Sequence, residues 1–158
     1  MTKPIPEGFH AVTPTFVFKD SRKAIAFYRK AFGARELYPA MPGPDGKGVM
    51  HAELKIGDST IMLSDENPQL GSKSAETLGT SPIGFFLYVE DVDAAFPKAV
   101  AAGATVQMPV QDMFWGDRAG SVKDPFGYAW MMGTRKKDLT PEEIAKNAAA
   151  FFAQMAKK

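Results

Sequence analysis

The chain contains no cysteine among its 158 residues. Disulfides, thiolate metal sites and a cysteine nucleophile are therefore excluded, and we expect a cytoplasmic protein, since disulfide-free chains are typical of reducing compartments. Only two histidines occur, His10 and His51. A metal site built from several histidines of one chain is excluded as well, because such a site needs more imidazole ligands than the chain holds.

A charge of one sign is also lacking: Lys and Arg number 19, Asp and Glu number 18, and the formal net charge is +1. Nucleic acids and anionic membranes attract basic surfaces, so we expect neither as a partner. No apolar run approaches the length that crosses a bilayer, and residues 1–9 lack the apolar core of a signal peptide. A Gly-x-Ser-x-Gly nucleophile elbow and a P-loop are missing too.

What the sequence does contain is an internal repeat. Each copy has the pattern of a strand rich in β-branched and aromatic residues, an amphipathic helix, and three further strands. Gly33 and Gly103 end the two helices, Gly57 and Gly127 turn the two hairpins, and both pairs are about 70 residues apart. The sequence thus predicts an α+β fold of two tandem βαβββ modules in one domain, with module one at about 10–66, a linker at 67–81 and module two at about 82–135.

A further helix is predicted after the repeat, at about 140–157. Thr140-Pro141-Glu142-Glu143 has the pattern of a capping box with proline at the first helical position. The helix carries an apolar stripe, which consists of Ile144, Ala148, Phe151, Phe152 and Met155. We expect this stripe to pack on the two modules or on a second subunit.

The densest chemistry lies in Asp112–Arg118, which brings together two aromatic rings, a guanidinium and a glycine. Trp115 and Arg118 suit a surface that grips a flat or anionic small molecule. The alternative is structural: Trp115 fills the core, and Arg118 pairs with Asp112 or Asp117. The sequence leaves both interpretations open.

Three stretches resemble the glyoxalase, bleomycin-resistance and extradiol-dioxygenase superfamily, also called vicinal oxygen chelate; they are Asp20–Gly33, Ala101–Ala104 and Asp124–Gly127. Within that superfamily, His51–Leu54 and Asp112–Arg118 look like the PhnB-like branch. The resemblance covers roughly residues 10–135 and implies a cupped mixed sheet that holds a small molecule. It also implies a homodimer, since members complete their cups by pairing modules within or between chains.

Metal-using members carry their ligands at places that the resemblance transfers to Thr13, Ile83, Met131 and either Ile61 or Met62. None of these side chains offers the imidazole nitrogen or carboxylate oxygen that a divalent cation needs. We therefore expect no cofactor. A divalent metal is expected only if the chain has an atypical site for it.

The remaining candidate residues follow from that resemblance and from the alternation of side chains along a strand. If Thr13 and Ile83 point into the cup, then Thr15, Phe85 and Leu87 do so too. The resemblance places four more side chains there, which are His51, Glu53, Ser121 and Lys123.

His51 and Glu53 lie two residues apart on one predicted strand face, and several roles fit them. The pair could transfer a proton, because each group orients the other. It could instead grip a ligand, or form a half-buried polar cluster in which His51 bonds Glu53 or Lys123. A metal site with these two ligands would need another subunit to complete it.

Three functions compete on these residues. The first is a metal-free binding protein for a small aromatic or amphiphilic molecule, since such cavities are apolar with a few directed polar groups. The second is a glyoxalase- or dioxygenase-like enzyme, which uses a displaced metal site or an acid–base pair of His51 and Glu53. The third is a partner-binding role for the C-terminal helix.

Overall fold

The computed structural model describes residues 2–156. In chain order, its elements are β1 (Thr15–Phe18), α1 (Ser21–Phe32), β2 (Arg35–Glu36), β3 (Ala52–Ile56), β4 (Ser59–Asp65), a 3₁₀ turn (Pro68–Leu70), α2 (Ala75–Leu78), β5 (Gly84–Tyr88), α3 (Val92–Ala102), β6 (Thr105–Asp112), β7 (Asp117–Lys123), β8 (Ala129–Arg135) and α4 (Pro141–Met155).

The strands form two four-stranded mixed sheets with the same topology. Sheet one has the order β1-β4-β3-β2, and sheet two has the order β5-β8-β7-β6. In each sheet the first strand runs parallel to the last strand of the module, and the other pairings are antiparallel. The predicted α+β fold of two βαβββ modules with a C-terminal helix is confirmed.

The helices begin and end where local chemistry directs them. Asp20 caps α1 by accepting from the amide of Lys23, and Gly33 ends the helix at φ 66°, a left-handed conformation that glycine adopts without strain. Asp91 caps α3 in the same way. The predicted capping box of α4 is present, because Thr140 and Glu143 exchange side-chain-to-backbone hydrogen bonds.

Both modules share one aromatic core. The Phe16 ring of β1 lies with its centroid 4.5 Å from that of Phe85 and 5.8 Å from that of Trp130, and α1 packs against α3. Tyr28 of α1 donates a 2.6 Å hydrogen bond to the buried Asp124 of module two. Because one face of each sheet is turned to this core, the other face is left open.

Two surfaces are defined by this arrangement. Open face one is the outer side of sheet one, which carries Thr15, Val17, Glu53, Lys55, Thr60 and Met62. Open face two is the outer side of sheet two, which carries Phe86, Tyr88, Asp117, Ser121, Lys123 and Met131. The cavities on these two faces have no lining residue in common within the described chain.

Several predicted bounds differ from the structure. The first strand begins at Thr15 rather than Val12, which is 84% exposed. The region predicted as a linker contains the 3₁₀ turn and α2. The C-terminal helix was predicted at about 140–157, and the observed helix α4 spans Pro141–Met155. Residue 157 lies outside the described residues.

Helix α4 lies on the surface with its stripe only partly covered. Ile144, Ala148 and Phe151 are half-buried, whereas Phe152 is 58% exposed. Its contacts are with Phe114, which stacks near Phe151 and whose carbonyl accepts from Asn147. Within residues 2–156, the structure contains no helix that is both long and apolar enough to span a bilayer.

Candidate functional site

Open face one holds a polar cluster built from two neighbouring strands. His51 precedes β3 and is tied to Met41 by backbone bonds, and its Nε2 lies 3.1 Å from Oε1 of Glu53 on β3. Tyr38 follows β2 and stacks beside the imidazole at a centroid distance of 6.4 Å. Partial burial and the nearby carboxylate of Glu53 raise the pKa of Tyr38 to about 12, so its phenol stays protonated beside that carboxylate.

The contact between His51 and Glu53 relates their roles. Where Nε2 of a neutral His51 donates to Glu53, Nδ1 is left as an acceptor. The carboxylate of Glu53 can accept a further bond from a ligand, because it offers about four lone-pair sites. The sequence did not single out Tyr38; its signal is the pairing of β2 with β3, which is a long-range contact.

The face carries a cavity of about 460 Å³, lined by Glu53 and Met62 of the sheet and by Thr13, which precedes β1. Thr15 lies beside it, with its hydroxyl 3.9 Å from the sulfur of Met62. Thr13 donates its hydroxyl to the carbonyl of His10. Both predicted threonines thus lie on the same side of sheet one as His51 and Glu53.

Open face two is aromatic. The rings of Phe86 and Tyr88 lie 4.5 Å apart and are 42% and 59% exposed. Below Phe86, a shallow cavity of about 400 Å³ is lined by side chains that include Ser121 and Met131. Lys123 lies at the edge of this face, opposite Ala129. Ser121, Lys123 and Met131 therefore lie on the predicted side of sheet two.

Phe85 and Leu87, which were expected in the cup, lie mainly on the core side of β5, although Phe85 also borders the cavity on open face two. Both side chains are half-buried against the shared core, and the Phe85 ring lies 4.9 Å from that of Trp130. Since side chains alternate along a strand, the neighbouring Phe86 and Tyr88 point to the open face instead.

Arg118 turns away from open face two and binds α3. Its guanidinium makes a bidentate contact with Asp93, at 2.7 and 2.9 Å, and a 3.1 Å contact with Asp112. The structure contains the pairing with Asp112 that was the alternative for Arg118, and a role of Arg118 beside a ligand stays a prediction. Asp93 is a further partner, which the sequence interpretation did not include.

Trp115 lies at the end of open face two. Its Nε1 donates to Oδ2 of the buried Asp117 at 2.9 Å, and the hydroxyl of Tyr88 donates to the same oxygen at 2.9 Å. The half-buried indole packs edge-on against Phe114. The carboxylate of Asp117 thus holds both Tyr88, an aromatic ring of open face two, and Trp115 at the border of that face.

The places at which metal-using relatives carry ligands do not fit a divalent cation in this chain. Met62 and Met131 offer only thioethers, Ile83 is an exposed alkyl group, and the hydroxyl of Thr13 is bonded to a backbone carbonyl. Within residues 2–156, no three His, Asp or Glu side chains come close enough together to hold a metal ion.

The fold and its two open faces indicate a class of proteins, and comparison of the sequence with known families indicates the same class. The model of the glyoxalase/bleomycin resistance protein/dioxygenase superfamily matches residues 9–132. The chain belongs to this superfamily.

Relatives of known sequence and structure share most of the chain. The uncharacterized protein Rv0887c of Mycobacterium tuberculosis is 47% identical over 137 residues, which cover 85% of this chain and 79% of that protein. The X-ray structure of the Arabidopsis thaliana product At5g48480 has a TM-score of 0.61 and 29% identity, and covers 78% of this chain and 98% of that one.

A PhnB protein from Bacillus cereus, described as a putative 3-demethylubiquinone-9 3-methyltransferase, also has a TM-score of 0.61. The likeness covers 79% of this chain and 99% of that one. The TM-score shows that the fold is shared. At 18% identity, the likeness shows nothing about activity.

Proposed function

We propose that this chain is a metal-free binding protein of the glyoxalase/bleomycin-resistance type, in the PhnB-like branch, which holds a small aromatic or amphiphilic molecule. The observation that carries the proposal is the pairing of two unlike open faces on one shared core. One face presents the acceptor cluster of Glu53, His51 and Tyr38, and the other presents the rings of Phe86 and Tyr88.

The chemistry of the two faces suits an aromatic ligand. Rings of a ligand gain stacking and burial against Phe86 and Tyr88, whereas a polar substituent gains a directed bond to the cluster on face one. Small-molecule cavities have this composition, with apolar walls and few polar anchors. The lack of cysteine and the net charge of +1 support a cytoplasmic protein that binds neither nucleic acid nor membrane.

We propose further that the site is completed in a homodimer. Within the described chain, no hydrogen bond joins His51 or Glu53 to Ser121 or Lys123, and each cavity is open on one side. A second copy could lay its open face two over open face one of the first. By twofold symmetry the same contact forms twice, which gives two equivalent sites.

The second candidate is an enzyme, and one distance favours it. Nε2 of His51 lies 3.1 Å from Oε1 of Glu53, which is the separation of an imidazole held by a carboxylate for proton transfer. Nδ1 would then act as the base toward a bound substrate. Because the transferred metal positions lack ligands, no Lewis acid enters this scheme.

Binding is tested by thermal shift across a panel of aromatic antibiotics and metabolites. A ligand at 100 times its Kd should raise Tm by about 5–10 °C for a domain of this size. Glu53→Gln and Phe86→Ala should abolish the shift, while Phe152→Ala, which removes an exposed ring from α4, should preserve it. No shift with any compound of a broad panel would contradict the proposal.

The enzyme alternative and the dimer have separate measurements. Turnover of a panel compound that is lost in His51→Ala, in protein free of metal by elemental analysis, would favour catalysis over binding. Light scattering reports the mass in solution. A mass of one chain at micromolar concentration would contradict the completed site.

A further inference from the structure

We infer that the N-terminal strap, residues 4–11, is the end wall of the cavity on open face one and determines which ligand fits there, and that this ligand is an aromatic ring bearing a hydroxyl or amino donor. The inference rests on the proposed function, because it names the ligand class and a specificity residue of that site. It assigns a role to a segment that the sequence pattern left without one.

The carbonyl of Gly8 fixes the strap to the sheet. The oxygen of Gly8 accepts from Oγ1 of Thr60 at 2.8 Å and from Nζ of Lys55 at 3.2 Å. Thr60 and Lys55 are directly opposite each other on β4 and β3, so both strands of the hairpin hold the strap. The hydroxyl of Thr60 is buried and has no water to replace this bond, since Thr60 is 4% exposed.

The strap is shaped before any ligand arrives. Gly8 has φ 82°, and the amide of Phe9 donates to the carbonyl of Pro6 at 3.2 Å, which closes a turn over the sheet. Pro4 and Pro6 fix their own φ angles and reduce the freedom of the segment. A wall that is ordered in advance costs little entropy when a ligand binds.

Most of the cavity wall comes from this strap. Its lining residues are Pro4, Ile5, Pro6, Phe9, His10 and Ala11, and together with Thr13 and with Glu53 and Met62 of the sheet they enclose about 460 Å³. That volume is typical of cavities for small ligands, which range over about 300–1,000 Å³. The superfamily match begins at residue 9, so residues 4–8 lie outside the matched region.

The ligand class follows from the contrast between wall and floor. The strap offers proline rings, an isoleucine and the half-buried ring of Phe9, which suit a flat apolar body. The floor offers the carboxylate of Glu53, which accepts hydrogen bonds and donates none when ionised. A ring with a hydroxyl or amino group satisfies both, whereas a ring with only acceptor groups leaves Glu53 opposite another acceptor.

Affinity for three probes tests the wall and the floor in the full chain. Fluorescence titration should show that wild type binds 2-naphthol at least tenfold more tightly than 2-methoxynaphthalene, which lacks the donor, and more tightly than the larger 1-hydroxypyrene. Phe9→Ala shortens the wall, so it should weaken 2-naphthol about tenfold and strengthen 1-hydroxypyrene. Val12→Ala, in the same region but outside the cavity, should leave all three affinities unchanged.

The position of the strap has a readout that needs no ligand. Hydrogen exchange of the Phe9 amide should be slow in wild type, and Thr60→Val, which keeps the side-chain shape but removes the donor, should speed it at least tenfold. Rapid exchange of that amide in wild type would overturn the inference.

The two proposals fail in distinguishable ways. If probes bind but Phe9→Ala behaves like Val12→Ala, the wall is wrong and the binding function stands. If the amide of Phe9 is protected but wild type binds no probe and no compound of the panel, the binding function is wrong, and the ligand class is refuted with it.

Discussion

Replacement of Tyr28 by phenylalanine tests the link between the two modules. The Tyr28 hydroxyl is buried and donates at 2.6 Å to Oδ2 of Asp124, which lies in the turn before β8. Trp130 donates to the same oxygen at 3.0 Å, and the amides of Phe126 and Tyr128 donate to Oδ1 at 2.9 Å. Tyr28→Phe removes one of these four donors and changes no other contact.

The expected loss can be estimated from the charge of the acceptor. A hydrogen bond to a charged group contributes about 1.5–3 kcal/mol, and a buried carboxylate cannot replace a lost donor with water. We expect Tyr28→Phe to lower the free energy of unfolding by about 2 kcal/mol. For a chain of this length that corresponds to a fall in Tm of about 4–8 °C.

The loss should also depend on pH. Burial raises the pKa of Asp124 above its ordinary value, and the hydrogen bond from Tyr28 opposes that rise. A raised pKa in the folded state means that stability falls as pH rises from the unfolded value, about 3.9, through the folded value. Tyr28→Phe raises the folded pKa further, so its cost should be smaller at acid pH and larger above the titration.

Urea unfolding at several pH values measures both effects, with Tyr128→Phe as the control. The Tyr128 hydroxyl bonds the neutral backbone of Val17, at 2.9 Å to its carbonyl oxygen, so its loss should cost about 1 kcal/mol. That cost should not follow the titration of Asp124. Equal costs for the two variants at every pH would refute the reasoning about the buried carboxylate.

Two further predictions concern the turn before β8 and the contact between the guanidinium of Arg118 and α3. Gly127 has φ 97°, and a Cβ there would lie 3.2 Å from that of Ala75, so Gly127→Ala should cost at least about 1 kcal/mol in urea unfolding. Gly84→Ala should be near neutral, because its closest neighbour is 3.8 Å away; equal midpoints for both variants would contradict this strain argument. Arg118→Met should lower Tm by freeing α3 from β7 while leaving probe affinity unchanged. Weaker binding of a probe to Arg118→Met would contradict this prediction and would indicate that Arg118 lies at the ligand.

Features that depend on neighbouring residues could be predicted from the sequence. The capping box at Thr140 and the glycine that ends α1 each depend on residues within one turn of helix. The repeat then determined the order of strands, because the same local signals occur twice. The fold class followed from these signals without any long-range contact.

The side chains of β5 that lie on the open face could not be predicted by transferring positions from module one to module two at a constant spacing. Gly33 and Gly103 are 70 residues apart, whereas the caps Asp20 and Asp91 are 71 apart, because α3 is one residue shorter than α1. A shift of one residue moves every side chain of a strand to the other face. The strand before α3 therefore presents Phe86 and Tyr88 on the open face, whereas the transfer of Thr13 to Ile83 predicted Phe85 and Leu87 there.

The candidate site depends on contacts that local pattern does not encode. Tyr38 reaches Glu53 because β2 pairs with β3, and the carbonyl of Gly8 reaches Thr60 across 52 positions of sequence. The strap has no hydrophobic periodicity, so no sequence pattern placed it over a sheet. Arg118 was open to two interpretations, and α3 adds Asp93 as a partner that neither of them included.

The shared aromatic core makes each module depend on the other. A chain with one module alone would leave Phe16 and Phe18 against water and the Tyr28 hydroxyl without its carboxylate. Because the two modules bury each other's rings, neither can be deleted without exposing the other. We expect substitutions to be tolerated more easily on the two open faces than on the faces that the modules share.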